Sequence, residues 1–369
     1  MGSVVPPIHL SVVYRFVDEE ECAKSDRGKP YKYLREENPS VRMFEKIVAS
    51  LEEGGDGLAF CSGMAAIHGL VTFFARKGGR IVVPMEMYST TIKLLHRLSQ
   101  LIGFELVKVW PSAEAIIEAL GRDTDLVLLE CLTNPTLKVI DVAEVVKHAK
   151  DLGIPVAIDN TFTTPLLLKP LKLGAVASIH SVTKYLAGHN DVLGGIVVAR
   201  SELVEELWEL RRMFGTTMHP FEAYLAMRGI KTLEIRFEKQ CRSAQAIAEF
   251  LAEHPRIEEV RYPGLSTDPY HDIARKLFEK PLFGAVVSFK IRGGLEDAKR
   301  FLRRLRIVAP APSLGGTESL ISIPAISAAR WLSPEDRARL GISENLLRLS
   351  VGLEDVEDLI EDLDQALKG

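Results

Sequence analysis

Residues 156–184 read VAIDNTFTTPLLLKPLKLGAVASIHSVTK, and this stretch decides the fold. It opens on the apolar run Val156-Ala157-Ile158, which ends at Asp159; a second run over residues 175–179 leads to Ser181. Short apolar runs without polar alternation are the mark of strands covered on both faces. Strands spaced by helical segments of this length form parallel sheets. The pattern extends outward. Val41, Phe44, Ile47, Val48 and Leu51 have helical spacing and stop at Gly54-Gly55. Ile81-Val82-Val83, residues 126–130 and residues 195–199 are further strand-like runs, and a helix over 141–152 is stopped by Gly153 and Pro155. The expectation is an α/β fold with a mostly parallel sheet and helices on both faces.

Past residue 221 the texture changes. A long amphipathic stretch over 221–253 predicts one helix, followed by strands over 285–291 and 320–323 and helices over 295–305 and 356–367. That is a second, smaller α/β domain. The boundary is expected inside the long helix, giving domains of 41–230 and 231–369. Residues 1–40, with Pro6-Pro7 and the polar run at 25–30, read as an irregular arm that packs on the body or reaches a neighbour.

The composition excludes several classes. The chain has 369 residues, with 46 basic and 50 acidic side chains and a net charge of −4. That balance gives no pull toward nucleic acid or an anionic membrane. Residues 57–75 hold no Asp, Glu, Lys or Arg over 19 positions, the length of a bilayer span. Three glycines, Ser62, Thr72 and His68 interrupt the run, so a buried helix is expected instead. The N-terminus has no basic region ahead of an apolar one, so no signal peptide is expected. The four cysteines form no CxxC pair, the nine histidines form no HExxH motif, and no metal site is expected. No Gly-x-Gly-x-x-Gly follows a strand.

Ligands of open α/β sheets bind beyond the carboxyl ends of the strands. Glu130 and Asn134, Asp159 and Asn160, and Ser181, Thr183 and Lys184 follow three successive strands. An acid, an amide, two hydroxyls and a lysine suit pyridoxal phosphate (PLP). The lysine forms a Schiff base with the aldehyde, and a carboxylate keeps the ring nitrogen protonated. Ser62-Gly63-Met64 opens the uncharged helix, where a helix N-terminus and a glycine suit a phosphate. Each residue also has an ordinary reading: Lys184 as a solvated side chain, Asp159 as a turn former, Ser62 as a helix cap. The combination, in this order, favours PLP.

The chain resembles the Cys/Met-metabolism family of PLP enzymes over nearly its whole length. SVTKYLAGHND (residues 181–191) resembles the family's lysine signature, which implies that Lys184 carries the cofactor and shuttles protons, with Ser181 and Thr183 on the phosphate. AIDNTFTTP (residues 157–165) resembles the element carrying the ring-nitrogen carboxylate, here Asp159. ECLTNPTLKVID (residues 130–141) supplies Asn134, near the phenolic oxygen or the substrate carboxylate. YLREENPS (residues 33–40) resembles the element whose Tyr33 and Arg35 reach the phosphate of a neighbouring subunit. Tyr88 stands where the family has its ring-stacking tyrosine, and LLRLSVGLED (residues 346–355) places Arg348 as the clamp on the substrate α-carboxylate, beside Ser313.

The resemblance implies PLP fold type I, of the aspartate-aminotransferase kind. The scattered cysteines read as thiols of a cytoplasmic protein, and the resemblance implies a homotetramer, a dimer of dimers with sites shared across an interface. It implies γ-elimination or γ-replacement on cystathionine or an O-acyl-homoserine, in the γ-synthase and γ-lyase branch. Methionine γ-lyase and O-acetylhomoserine sulfhydrylase activities are the alternatives, and a non-catalytic nucleotide- or cofactor-binding protein is the rival of another class. Four departures bear on specificity. Ser89-Thr90-Thr91 follows Tyr88, where much of the family has two glycines. Thr90 takes the place of a cysteine typical of methionine γ-lyases. Pro312 stands where γ-synthases and γ-lyases have Glu. Ser327-Ala328-Ala329 replaces the family's usual Thr-His.

Overall fold

The computed structural model describes residues 3–18, 20, 22–330 and 332–368. The larger sheet holds β1 (Asp56–Phe60), β2 (Arg80–Pro84), β3 (Glu105–Val109), β4 (Thr124–Glu130), β5 (Val156–Asp159), β6 (Ala177–Ser181) and β7 (Gly195–Ala199). Their order is β1-β7-β6-β5-β4-β2-β3. Every pair from β6 to β3 is parallel, and β7 runs against both of its neighbours. This is the mostly parallel sheet that the apolar runs predict.

Both faces of that sheet are covered, which is why its strands read as unbroken apolar runs. On one face Val127, Leu129, Ile158, Ile196 and Val198 pack with Val41, Phe44 and Val48 of α1 (Pro39–Leu51) and with Val145 and Val146. On the other, Leu126, Leu128, Ala157, Ile179 and Val197 pack with Ala66, Leu70 and Val71 of α2 (Gly63–Phe74) and Leu95 of α3 (Ser89–Ile102). α1 begins at Asn38, whose side chain accepts from the Ser40 and Val41 N–H groups, with Pro39 preset for the first turn.

Two expectations need correction. The uncharged run over 57–75 is not one helix: it is β1 followed, across Cys61-Ser62, by α2. Apolar periodicity does not separate a short buried strand from a helical turn. The stretch over 221–253 is two helices, Pro220–Ile230 and Leu233–Glu253. At the break, Arg236 donates from Nη2 to the Gly229 carbonyl at 2.9 Å, so a side chain takes a bond that a continued helix would make. Gly229 also lies against the backbone of Ala187, where a Cβ would come within 2.0 Å of the carbonyl oxygen.

The second sheet has the order β10 (Ala309–Pro310), β11 (Leu320–Ser322), β12 (Leu346–Ser350), β9 (Val286–Ile291), β8 (Ile257–Arg261). Leu347, Leu349, Val287 and Phe289 face a core with Ile247 and Leu251 of one helix and Leu359 and Leu363 of another. The alternate residues point the other way, toward the first sheet: Ser288 donates to the Pro135 carbonyl at 2.6 Å, and Arg348 reaches Asn134. Period-two alternation thus gives β12 one apolar face and one face for chemistry.

The arm is fixed at its root by buried charges. Arg27 pairs with Asp56 at 2.7 Å and Glu45 at 2.9 Å, Arg42 with Asp56 at 2.6 Å, and Arg211 with Glu45 at 2.8 Å. No described helix is long and apolar enough to cross a membrane.

Candidate active site

β2 leads to one side of the sheet and β4 to the other, so the carboxyl ends of these two strands form a topological switch point. A cavity of about 660 Å³ opens there, between the first sheet's strand ends and the polar face of the second. Its floor is formed by strand ends, one wall by α2 and α3, and the opposite wall by residues 312–314 and β12.

Asp159, the last residue of β5, lies at the floor. Its Oδ1 accepts from the Thr161 hydroxyl at 2.5 Å and the Thr161 N–H at 3.1 Å. Burial raises its carboxyl above the ordinary range, against those two bonds and nearby His180, which pull it down. The Thr161 hydroxyl in turn accepts from the Ser181 N–H at 2.8 Å, tying the end of β6 to the turn after β5. Asp159 stands beside Glu130 in the β4–β5 register.

The α2 end of the cavity is built by close backbone approach. A Cβ on Gly63 would lie 3.1 Å from the Cα of Ser181, and one on Gly195 would lie 2.2 Å from the Ser62 carbonyl oxygen. Glycine at both positions lets the start of α2 settle against β6 and β7. Ser62 caps α2, its side chain accepting from the Ala65 N–H, so the ordinary reading of Ser62 holds as well. The Thr183 hydroxyl accepts from the Gly194 N–H at 3.1 Å, which fixes its position on the same side.

Lys184 enters from the turn after β6. Its Nζ lies 2.7 Å from the Ser313 hydroxyl. Burial, with a smaller effect from the charge of Arg348, lowers its amine to a pKa of about 8. Arg348 is itself buried: Nη1 donates to Asn134 Oδ1 at 2.9 Å, and Nη2 to the Ser313 carbonyl at 2.9 Å. Its Nε has no protein partner among the described residues. Burial lowers its guanidinium to about 10. Ser313 presents both groups from a left-handed backbone (φ 92°), an uncommon conformation for a non-glycine residue. Tyr88 lines the cavity at the start of α3 and keeps a large exposed surface.

A family model, Cys/Met metabolism PLP-dependent enzyme, matches residues 1–368. This chain belongs to that family. It is 40% identical over 372 residues to the L-methionine gamma-lyase of Pseudomonas putida, covering 100% of this chain and 93% of that protein. It is 39% identical to the cystathionine gamma-lyase of Bacillus subtilis (strain 168), covering 100% and 95%. The crystal structure of cystathionine gamma synthase from Xanthomonas oryzae pv. oryzae, in complex with cystathionine, superposes with a TM-score of 0.93 at 38% identity, covering 99% of this chain and 93% of that one. The protein is a PLP-dependent enzyme of fold type I.

The donor set fits the family's cofactor. Ser62, Gly63, Met64, Ser181 and Thr183, hydroxyls and backbone around the start of α2, line the same cavity as Asp159, Lys184, Tyr88, Asn134, Ser313 and Arg348. Among the described residues, the hydrogen bonds to Asp159 come from Thr161 and none from a cation, which suits a carboxylate that would face a protonated ring nitrogen. Tyr33 and Arg35 are not among the residues lining this chain's own cavity. Arg35 instead lies over the Tyr33 ring, its guanidinium carbon 5.3 Å from the centroid. Thr161, Glu130 and Ser322 also line the cavity. Thr161 and Glu130 fall inside strings the family signatures cover, but their contacts cross from strand to strand. The signal for Thr161 is a hydroxyl two residues past an Asp, the spacing of a local turn. Of the departures, Ser89, Thr90, Pro312, Ser327 and Ala328 all line the cavity.

Proposed function

We propose that this chain is a transsulfuration enzyme of the cystathionine γ-synthase and γ-lyase kind, acting by γ-elimination or γ-replacement on cystathionine or an O-acyl-homoserine. The observation that carries this reading is the meeting of Lys184, Asp159 and Arg348 in one cavity, with Asn134 and Ser313 between them. When bound, PLP supplies an aldehyde that captures amines and a ring that accepts electrons. Ser62, Gly63, Met64, Ser181 and Thr183 hold its phosphate, and Asp159 keeps the proton on its ring nitrogen. Arg348 grips the substrate α-carboxylate with a two-pronged fork, aided by Asn134 and Ser313. That grip directs the α-hydrogen toward Lys184, whose lowered pKa lets a neutral amine take a proton near neutral pH. Tyr88 stacks on the ring and moves a proton at the γ end.

The division into an arm (1–40), a cofactor domain (41–230) and a C-terminal domain (231–369) belongs to the same reading. So does a cytoplasmic homotetramer, a dimer of dimers in which Tyr33 and Arg35 complete a neighbour's phosphate site. The exposed Leu10, Val12, Val13, Phe16 and Val17 of the arm support a covering partner. Methionine γ-lyase activity is the second reading, favoured by the 40% identity to proteins of that name. Thr90 beside Tyr88 counts against it.

A product assay separates them. Cystathionine, methionine and O-acyl-homoserine are each incubated with enzyme, with and without cysteine. The first reading expects 2-oxobutyrate from cystathionine, or cystathionine from the ester plus cysteine. 2-Oxobutyrate from methionine alone, with neither of those products, establishes the second. No turnover of any of them contradicts both.

A further inference from the structure

Glu130 is the last residue of β4 and lines the same cavity, yet none of the roles above uses it. It is 6% exposed. Its Oε1 accepts from the backbone N–H of Tyr88 at 2.8 Å. Its Oε2 is buried with no hydrogen-bond partner among the described residues. In the sheet register it is directly paired with Asp159. The other carboxylate near it, Glu86, is already bonded to Lys138 Nζ at 2.8 Å and to Thr136. Lys184, Arg348, Arg330 and the Tyr88 phenol are the other titratable groups that line the cavity. Among the described residues, no cation is hydrogen-bonded to Glu130.

A buried carboxylate with no cation and a second carboxylate beside it is strongly disfavoured as an anion. We propose that Glu130 is a positioning residue that works as an uncharged acid. One oxygen fixes the backbone of Tyr88 at the head of α3. The absence of charge leaves Asp159 as the single anion facing the cofactor ring. Burial first, then the charge of Asp159, pushes its carboxyl well above the ordinary range. An ionised Glu130 would raise the proton affinity of everything near the ring. An apolar residue there would leave the Tyr88 N–H unbonded and let the stacking tyrosine drift.

The inference rests on the PLP reading of the site, and the test keeps the two apart. Holoenzyme carrying Glu130→Gln or Glu130→Leu is compared with wild type by pH titration of the bound cofactor's visible chromophore and by cofactor retention on dialysis. Gln keeps an acceptor for the Tyr88 N–H and carries no charge. The chromophore of Glu130→Gln is expected to titrate at the wild-type pH, with wild-type retention. Glu130→Leu is expected to lose retention by about tenfold, the cost of one unsatisfied buried N–H. A chromophore titration in Glu130→Gln moved to lower pH by about one unit overturns the inference, because it means a negative charge was removed. Wild-type retention in Glu130→Leu overturns the positioning role. If Glu130→Leu does not fold, the titration and retention of Glu130→Gln decide alone. Wild-type protein that acquires no chromophore with PLP overturns the reading of the site itself, and this inference with it.

Discussion

Lys184 is held in a place where its amine loses its proton readily, because burial strips solvent from the ammonium and Arg348 repels it. Only the neutral amine attacks an aldehyde. Cofactor-free enzyme mixed with PLP should therefore gain its chromophore faster as pH rises, with half the maximal rate near pH 8. An ordinary lysine would still be gaining at pH 10. Arg348→Ala removes the repelling charge, so the same midpoint should move upward. It also removes the two-pronged fork. The KM for amino-acid substrates should rise by about 10–100-fold, the worth of one or two charge-assisted hydrogen bonds. An unaltered KM would reject the clamp. Lys184, Asp159 and Arg348 were legible in the sequence because each lies in a strand or just past one, inside a long signature. Glu130 was legible only as a strand-end acid with no role, and Thr161 and Ser322 were not legible at all. Their roles depend on which strand lies beside which, and Glu130 becomes meaningful only when β4 is seen paired with β5 and the head of α3 bonded to it.

At the scale of elements, the site depends on how closely β7 packs against the head of α2. Gly195→Ala would drive a Cβ into the Ser62–Gly63 peptide, 2.2 Å from the carbonyl oxygen and 2.6 Å from the Gly63 nitrogen. Overpacking of this kind is expected to lower stability by about 1–3 kcal/mol, read by denaturant unfolding. It should also weaken PLP retention if the displaced peptide holds the phosphate, as proposed above. A variant that keeps wild-type retention would show that α2 does not hold the phosphate. The strands buried on both faces were readable as apolar runs. β1 was hidden in the uncharged run it shares with α2. β3 was missed because it is a half-exposed edge strand carrying Glu105 and Lys108. The break between Pro220–Ile230 and Leu233–Glu253 was invisible because no proline marks it. A side-chain bond from Arg236 and the approach of Gly229 to Ala187 make it, and both are tertiary.

At the scale of the whole molecule, the arm's root is locked by buried ion pairs while its apolar outer residues lie open. The reading that Tyr33 and Arg35 serve a neighbour makes a specific prediction about mixed assemblies. Arg35→Ala damages the arm and Lys184→Ala the lysine. In a dimer of one of each, the subunit that retains Lys184 receives an intact arm from its partner. Random mixing should restore about a quarter of wild-type activity, since half the dimers are mixed and each has one complete site. Mixtures no more active than their parents would contradict a shared site. The central claim is that Lys184 carries the cofactor in a cavity shared with Asp159 and Arg348. It is tested most directly by reducing the PLP-loaded protein with borohydride and mapping the labelled peptide. The account predicts one phosphopyridoxyl group per chain, on Lys184 in SVTKYLAGHND. A label on another lysine, or no label on a chromophore-bearing protein, would contradict it.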